Sequence, residues 1–341
     1  MASLMIIPRE LRDMILSFVL LENRPSPQSI SEIEQQDRTF PDERSAIYSL
    51  TDPAEYRSST SSLLLTSKQL NAEMREVMHG APVNYKLDVK FLRDSYLVPT
   101  WTSIPVRSSR IDRLEATFQS LGAYQRPVKD LNLKGGPRRR DIWKRSSGRA
   151  PLHVRPFYSL LERFLKFGPV GPTSLEIETP GSIDCLELNY VDPEDTSLLP
   201  PKAANSDEER ECSLRLHMYR RGEVDTNKIQ VLRPEWLEKT LSRHLYMLLR
   251  MDEHYSPYGA VLYEHIGRIV IKVNGDIVRE LDLGEMLGAH RFQDEANWYD
   301  GDRLRRMNEW RDATLVVRAE RGLKVVEPNG NWWEQPEDEG S

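Results

Sequence analysis

The most regular hydrophobic pattern lies at the start of the chain, between residues 6 and 20. Five apolar residues recur there at spacings of three and four, which places them on one face of an α-helix: Leu11, Met14, Ile15, Phe18 and Val19. Pro8 stands where a first helical turn tolerates a residue without an N–H. The pattern predicts an amphipathic helix over residues 8–20. Such a stripe is typical of a helix that packs on its own domain and also of one that binds a partner, and spacing alone favours the first.

Helical and alternating patterns recur along the rest of the chain. Helical spacing predicts helices over residues 63–79, from Pro156 to a stop at Gly168, from Pro234 through Leu249, and over about 303–310. Alternation or short apolar runs predict strands over residues 83–89, 111–118, 183–191, 269–273, 277–281 and 314–319. Asn274 and Gly275 separate two of these strands and predict a hairpin, because both central positions of its tight turn need a positive φ.

This order of elements predicts an α+β fold, in which an N-terminal helical segment packs on a mixed sheet with helices. The segment covers residues 1–80, a mixed helix and strand domain covers 81–328, and 329–341 form an acidic tail. Residues 22–58 carry four prolines, many serines and scattered acids, and we expect a surface loop or a disordered insert there. Residues 192–211 are rich in proline and acidic residues, and we expect them to form a second disordered insert. No fixed period supports a repeat solenoid.

Charge and cysteine content limit the cellular compartments in which we expect the protein. The formal net charge of −6 argues against general attraction to nucleic acid or to an anionic membrane. Cys185 and Cys212 are too far apart in the sequence for a metal knuckle or a redox CxxC pair, and they suit a reducing compartment. The charged residues among the first fourteen argue against a signal peptide, and no apolar run approaches the length of a membrane span. We therefore expect the protein in the cytoplasm, the nucleus or both.

One segment departs from the acidic average. Residues 126–149 carry nine Lys or Arg residues against two Asp, and we expect them to form an exposed basic insertion. Lysine and arginine side chains there are candidates for phosphate contacts, with a tryptophan that would stack on a base: Arg138, Arg139, Arg140, Trp143, Lys144 and Arg145. A solvated loop or a nuclear-import signal explains the same composition, and the solvated loop is favoured.

No catalytic motif stands out. The seven histidines show neither HExxH nor zinc-finger spacing, and no GxSxG elbow or phosphate-binding glycine loop is present. His244 and His254, with the acids before His254, form one local cluster that a divergent enzyme would use, although a solvated helix end explains it better. We therefore expect a non-enzymatic protein without a cofactor or a metal.

Two segments together resemble a known family. Residues 7–15 read IPRELRDMI and are similar to the LPxELRxxI opening of fungal F-box-like proteins. Residues 63–73 read LLLTSKQLNAE and resemble the LLLTCRQIxxEA segment that commonly follows in that family. Ser67 stands where the family usually has Cys.

The resemblance implies a function in protein binding. In F-box proteins these helices bind a Skp-type adaptor of cullin–RING ubiquitin ligases, and the C-terminal part recruits a target. On this basis the expected partner-binding residues are Ile7, Pro8, Leu11, Ile15, Leu64, Leu65 and Leu70. The resemblance makes a partner surface on the first helix as plausible as simple packing, and an unknown recruited protein completes the expected set of partners.

Overall fold

The computed structural model describes most of the chain in separate stretches. These are residues 6–40, 47–51, 64–92, 96–105, 108–122, 154–169, 181–199, 231, 233–251, 256–289 and 301–327. Eight helices run over Arg9–Leu20 (α1), Ile30–Gln35 (α2), Lys68–Gly80 (α3), Val154–Phe167 (α4), Pro234–Leu249 (α5), Ser256–His265 (α6), Leu283–Ala289 (α7) and Gly301–Glu320 (α8) in the described residues. The strands run over Arg38–Thr39 (β1), Ser49–Leu50 (β2), Asn84–Leu92 (β3), Tyr96–Ser103 (β4), Arg110–Leu121 (β5), Ser182–Val191 (β6), Ile266–Val273 (β7) and Asp276–Asp282 (β8).

Six of these strands form one mixed sheet in the order β4-β3-β5-β6-β7-β8. The four inner strands are parallel, with Val89 opposite Phe118 and Ala116 opposite Leu188, while β4 and β8 add antiparallel edges. The predicted hairpin between β7 and β8 is present. Asn274 has a φ of 50° and Gly275 a φ of 89°, as the turn requires. The α+β class is confirmed.

The main hydrophobic core lies between one face of the sheet and helices α4, α5 and α6. Helix α4 contributes the apolar stripe that its sequence predicts: Phe157, Leu160, Leu161, Phe164 and Leu165, all buried. Phe164 packs between Tyr85 of β3 and Trp101 of β4, with ring centroids 5.9 and 4.9 Å away. Aromatic packing of this kind stabilises the contact between α4 and the sheet.

The opposite face of the sheet is polar over its centre. Glu187 on β6 binds Arg113 of β5 at 3.1 Å and Lys272 of β7 at 2.7 Å, so neighbouring strands exchange charges across the face. Lys86 and Glu115 continue this pairing on β3 and β5 at 4.0 Å. An antiparallel or mixed sheet with one solvated face typically shows such cross-strand ion pairs.

The expected disorder of residues 22–58 is wrong for its described part, residues 22–40 and 47–51. Helix α2 begins at an N-cap, since the Ser29 side chain accepts a hydrogen bond from the Glu32 amide. Ile33 is fully buried with Tyr48 against the polar-face end of β3 and β4. Arg38 is buried as well and donates hydrogen bonds to the carbonyls of Tyr48 and Pro99, both at 3.0 Å. Few apolar residues are enough here because this segment covers an existing sheet instead of building its own core.

The predicted strand over residues 314–319 is also wrong, because α8 continues through it to Glu320. Thr314 and Arg318 are the buried positions of that stretch, and their spacing of four is helical. The Arg318 guanidinium donates to the carbonyls of Tyr263 and Ile266, where α6 passes directly into β7, and to that of Lys324. A buried cation that satisfies carbonyl groups at a helix end outweighs the strand preference of the adjacent valines.

Of the remaining predicted elements, most are present, and some segments lie outside the described residues. The structure also contains elements that were not predicted. The helices at residues 8–20, 156–167 and 234–249 and the strands from 83 to 281 appear near their predicted bounds, whereas the helix predicted over 63–79 begins only at Lys68. Strand β4 and helices α6 and α7 were not predicted. The basic segment 126–149 and the tail 329–341 lie outside the described residues. So does most of 192–211, of which residues 192–199 hold a short turn of 3-10 helix.

Candidate functional site

Helix α1 packs on α3 through a side of the helix that the apolar stripe does not include. Leu16 and Leu20 are buried against Met74 of α3, and Leu64 and Val77 pack at the edge of this small cluster. Burying a leucine side chain is worth about 1.5–3 kcal/mol. The contact joins the two segments that carry the family resemblance into one helical pair.

A buried ion pair fixes how the two helices meet. Arg12 of α1 donates through Nε and Nη2 to the two carboxylate oxygens of Glu73 on α3, at 2.8 and 2.6 Å. Its third nitrogen, Nη1, donates to the carbonyl of Ile7 at 2.6 Å. Gln69 also donates to Glu73, at 3.0 Å. Such a two-point contact sets both the distance and the rotation of α1 against α3.

The hydrogen bonds to Glu73 also set its protonation state. Donation from Arg12, with a second contribution from Gln69, lowers the pKa of the Glu73 carboxyl from its ordinary 4.5 to about 2. The same pairing raises the pKa of Arg12. Both groups are therefore charged at neutral pH, and the ion pair is fully formed there.

The stripe predicted from the sequence lies on the other side of α1 and faces solvent. Leu11 is 48% exposed, Met14 55%, Ile15 38% and Phe18 71%, whereas Val19, at the border towards α3, is only half-buried. Four large apolar side chains on one helical face form an apolar surface that we call the α1 stripe: Leu11, Met14, Ile15 and Phe18. Contiguous exposed apolar surface of this kind usually marks an interaction site.

The residues expected from the resemblance differ in position and exposure. Leu11 and Ile15 belong to the α1 stripe, and Pro8 is exposed at the N-cap of α1. Ile7 is half-buried beside Arg12, and Leu65 is exposed in the turn before α3.

Two of the expected partner-binding residues belong to the fold and not to the surface. Leu70 is only 5% exposed, and Leu64 packs against the cluster of Leu16, Leu20 and Met74. Leu70 is buried and Leu64 partly buried, and a side chain that already has packed neighbours offers less area to a partner. The exposed set is therefore narrower than expected and lies mainly on α1.

Sequence reasoning missed the side of α1 that holds the helical pair together. Arg12, Leu16 and Leu20 recur every four residues, a spacing visible in the sequence. The face of Arg12, Leu16 and Leu20 was not predicted to be buried because it begins with Arg12, and an arginine in a helix normally points into solvent. Its acidic partner, Glu73, lies 61 residues further along the chain, so no local pattern connects the two.

The described residues give little support to the two alternative sites, the histidine cluster and the basic segment. His244 is buried on α5, while His254 lies outside the described residues, so the expected pair is not brought together in the part of the chain that is described. The basic candidates at 138–145 lie outside it too. Within the described stretches no group of three or more His, Cys, Asp or Glu side chains is arranged to hold a metal ion. None of the described helices combines the length and hydrophobicity needed to cross a bilayer.

Comparisons with protein-family models, with curated proteins and with solved structures find no match for this chain.

Proposed function

We propose that this protein is a non-enzymatic interaction module whose α1 stripe binds a partner protein. The observation that carries the proposal is the exposure of Leu11, Met14, Ile15 and Phe18 on a helix whose other side is already packed on α3. Because the Arg12–Glu73 ion pair fixes α1, the stripe is presented as a rigid surface. A surface that is ordered before binding loses less conformational entropy when a partner covers it.

We infer that the partner is a Skp-type adaptor of a cullin–RING ubiquitin ligase. Two matches support this: residues 7–15 and 63–73 resemble the F-box-like opening, and the same two segments form the α1–α3 pair. In this proposal Pro8, Leu11 and Ile15 contact the adaptor, and the six-stranded sheet with its helices recruits a target protein in the cytoplasm or nucleus.

A pull-down with a purified Skp-type adaptor tests the proposal. The full-length wild type should retain the adaptor, and the double variant Pro8→Ala/Leu11→Asp should lose most of it. Leu11 is half-exposed in the first turn of α1, where an added carboxylate is compatible with the helix dipole, so this variant should fold.

Val316→Asp is the matched control, because Val316 is an exposed apolar residue on another helix, α8. It should retain the adaptor as the wild type does. Failure of the wild type to retain the adaptor would remove the ligase proposal. Equal retention by the double variant would show that the α1 stripe is not the binding surface.

A further inference from the structure

Strand β8 leaves one edge of the six-stranded sheet open. It pairs with β7 along one side, and within the described residues no backbone group of 276–282 hydrogen-bonds to another strand on its outer side. Its residues from Asp276 to Glu280 are all exposed. An edge strand of this kind presents a row of free N–H and C=O groups that can pair with a further strand.

The opposite edge of the sheet, strand β4, is covered by another segment of the chain, so the two edges differ in their exposure. Outside β4, the amide of Tyr48 donates to the carbonyl of Leu97 at 2.8 Å, and Ile47 forms a bridge with the same residue. The amide of Arg24 donates to the carbonyl of Thr102 at 2.7 Å. The segment after α1 thus occupies the backbone groups of β4.

The open edge also exposes apolar side chains. Ile277 is 58% exposed and Val278 48%. Edge strands are usually protected by charges, proline, bulges or a covering segment, whereas two adjacent β-branched residues at an edge add apolar area for a partner strand.

A second copy of this chain is a poor occupant of that edge. Antiparallel pairing of two identical strands about a two-fold axis sets residue i opposite residue j on the same face, and like charges opposite each other are destabilising. Centring the axis on any one of residues 278–281 makes such a clash. The opposed charges are Asp276 with Glu280, Arg279 with itself, Glu280 with itself, or Glu280 with Asp282. The charge pattern of β8 therefore works against pairing with itself.

The same charges favour a basic partner. Arg279 keeps its charge, since its partner at 2.8 Å is the neutral Tyr246 hydroxyl, whereas Asp282 binds Lys324 at 2.8 Å. Glu280 and Asp276 form no ion pair among the described residues. With Arg279 counted against Asp276 and Glu280, a net charge of −1 is left for an incoming strand at this edge.

We propose that the outer edge of β8 binds an extended segment of another protein, in which lysine or arginine alternates with apolar residues. Backbone hydrogen bonds to β8 provide affinity, apolar residues cover Ile277 and Val278, and a basic residue pairs with Glu280. The proposal does not depend on α1, which lies in a different part of the molecule, so the two binding functions can fail separately.

Fluorescence anisotropy with a synthetic probe tests it. The probe is a labelled nine-residue peptide of alternating lysine and valine, titrated with the full chain. Saturable binding is expected, and the double variant Ile277→Lys/Glu280→Lys should weaken it about tenfold or more, because it removes an apolar contact and reverses the attracting charge. The double variant Val316→Lys/Glu320→Lys, which makes the same change of charge at two exposed positions of α8, should bind as the wild type does. Amide exchange at residues 276–282 should slow when the probe is bound.

Several results would overturn the proposal. They are the absence of saturable binding, equal binding by the double variant, and equal binding of a glutamate–valine peptide. A peptide methylated on alternate backbone nitrogens, which cannot donate to β8, must also bind weakly. If it binds as well as the parent peptide, the contact is not strand pairing. Dimerisation of the wild-type chain that the double variant abolishes would show that a second copy occupies the edge.

Discussion

Helices α1 and α4 carry the same apolar spacing but lie in opposite environments. Positions 11, 14, 15, 18 and 19 of α1 correspond one for one to positions 157, 160, 161, 164 and 165 of α4. The five residues of α4 are all buried beneath the sheet, whereas four of the five in α1 are exposed. An apolar period thus predicts a helix and its apolar face, but it does not show what covers that face.

The residues that pack against α1 and α4 come from distant parts of the chain. Phe164 of α4 is covered by Tyr85 and Trp101, more than sixty residues earlier in the sequence. Helix α1 is covered by α3, but on the side of Leu16 and Leu20. Its stripe therefore stays exposed even though the helix is firmly packed. An apolar face left open on a helix that is already packed on α3 is what the proposed binding of a partner requires.

The largest expected effect is on the buried stripe. Phe164→Ala should lower the free energy of unfolding by about 3–5 kcal/mol, because it leaves a cavity beside Tyr85 and Trp101. Urea unfolding followed by tryptophan fluorescence measures the change. A loss below about 1 kcal/mol would mean that α4 is not held as the contacts indicate.

The inner side of α1 should respond less strongly. Leu16→Ala should cost about 2–3 kcal/mol, the lower part of the usual range, because Leu16 is fully buried but belongs to a small cluster with Leu20 and Met74. Protection of the α1 amides from hydrogen exchange should fall with it. If protection stays at the wild-type level, α1 is held mainly by contacts other than this cluster.

Acid should loosen α1 before it affects α4. Because the pKa of Glu73 is lowered from 4.5 to about 2, its ion pair with Arg12 contributes stability above pH 4.5 and loses it as the pH falls towards 2. Methyl resonances of Met74, which contacts Leu16, should therefore shift across that range.

Two variants separate this titration from general acid unfolding. In Glu73→Gln the shift of the Met74 resonances between pH 4.5 and 2 should disappear, because no carboxylate remains to titrate. Glu10→Gln, on the exposed side of α1, should retain it. An unchanged titration in Glu73→Gln would contradict the assigned role of the ion pair.

The smallest expected effect on stability is at the α1 stripe. Phe18→Ser should change the free energy of unfolding by no more than about 0.5 kcal/mol, since Phe18 is 71% exposed. Urea unfolding beside Phe164→Ala gives the direct contrast between two phenylalanines at equivalent positions of the same pattern. A loss near 3 kcal/mol at Phe18 would show that the stripe is buried within the protein.

Local sequence patterns were sufficient to predict many of the helices and strands, but they did not predict how these elements pack together. The spacing of α4 and the Asn274–Gly275 turn are encoded within a few residues, so both could be predicted. Strand β4 was missed because Tyr96, Leu97 and Val98 show no alternation and Pro99 interrupts the run, although an edge strand tolerates proline. The end of α8 was missed because Arg318 is anchored by carbonyl groups of α6 and β7, more than fifty residues earlier.

The candidate site shows the same division. Leu11 and Ile15 could be named from the sequence, but only the packing of α1 on α3 shows that they are exposed and that Leu70 is not. The Arg12–Glu73 pair joins residues 61 positions apart, and the open edge of β8 depends on the order of all six strands. Both are properties of tertiary structure, which no local period contains.

Calorimetric titration of a purified Skp-type adaptor into the full chain and into Phe18→Ser tests the role of the α1 stripe most directly. Wild type should bind with a negative heat-capacity change, the mark of buried apolar surface, and Phe18→Ser should bind at least about tenfold more weakly while unfolding at the same urea concentration. Equal affinity of the two proteins, or no binding by the wild type, would contradict the proposal that this exposed stripe is an adaptor-binding surface.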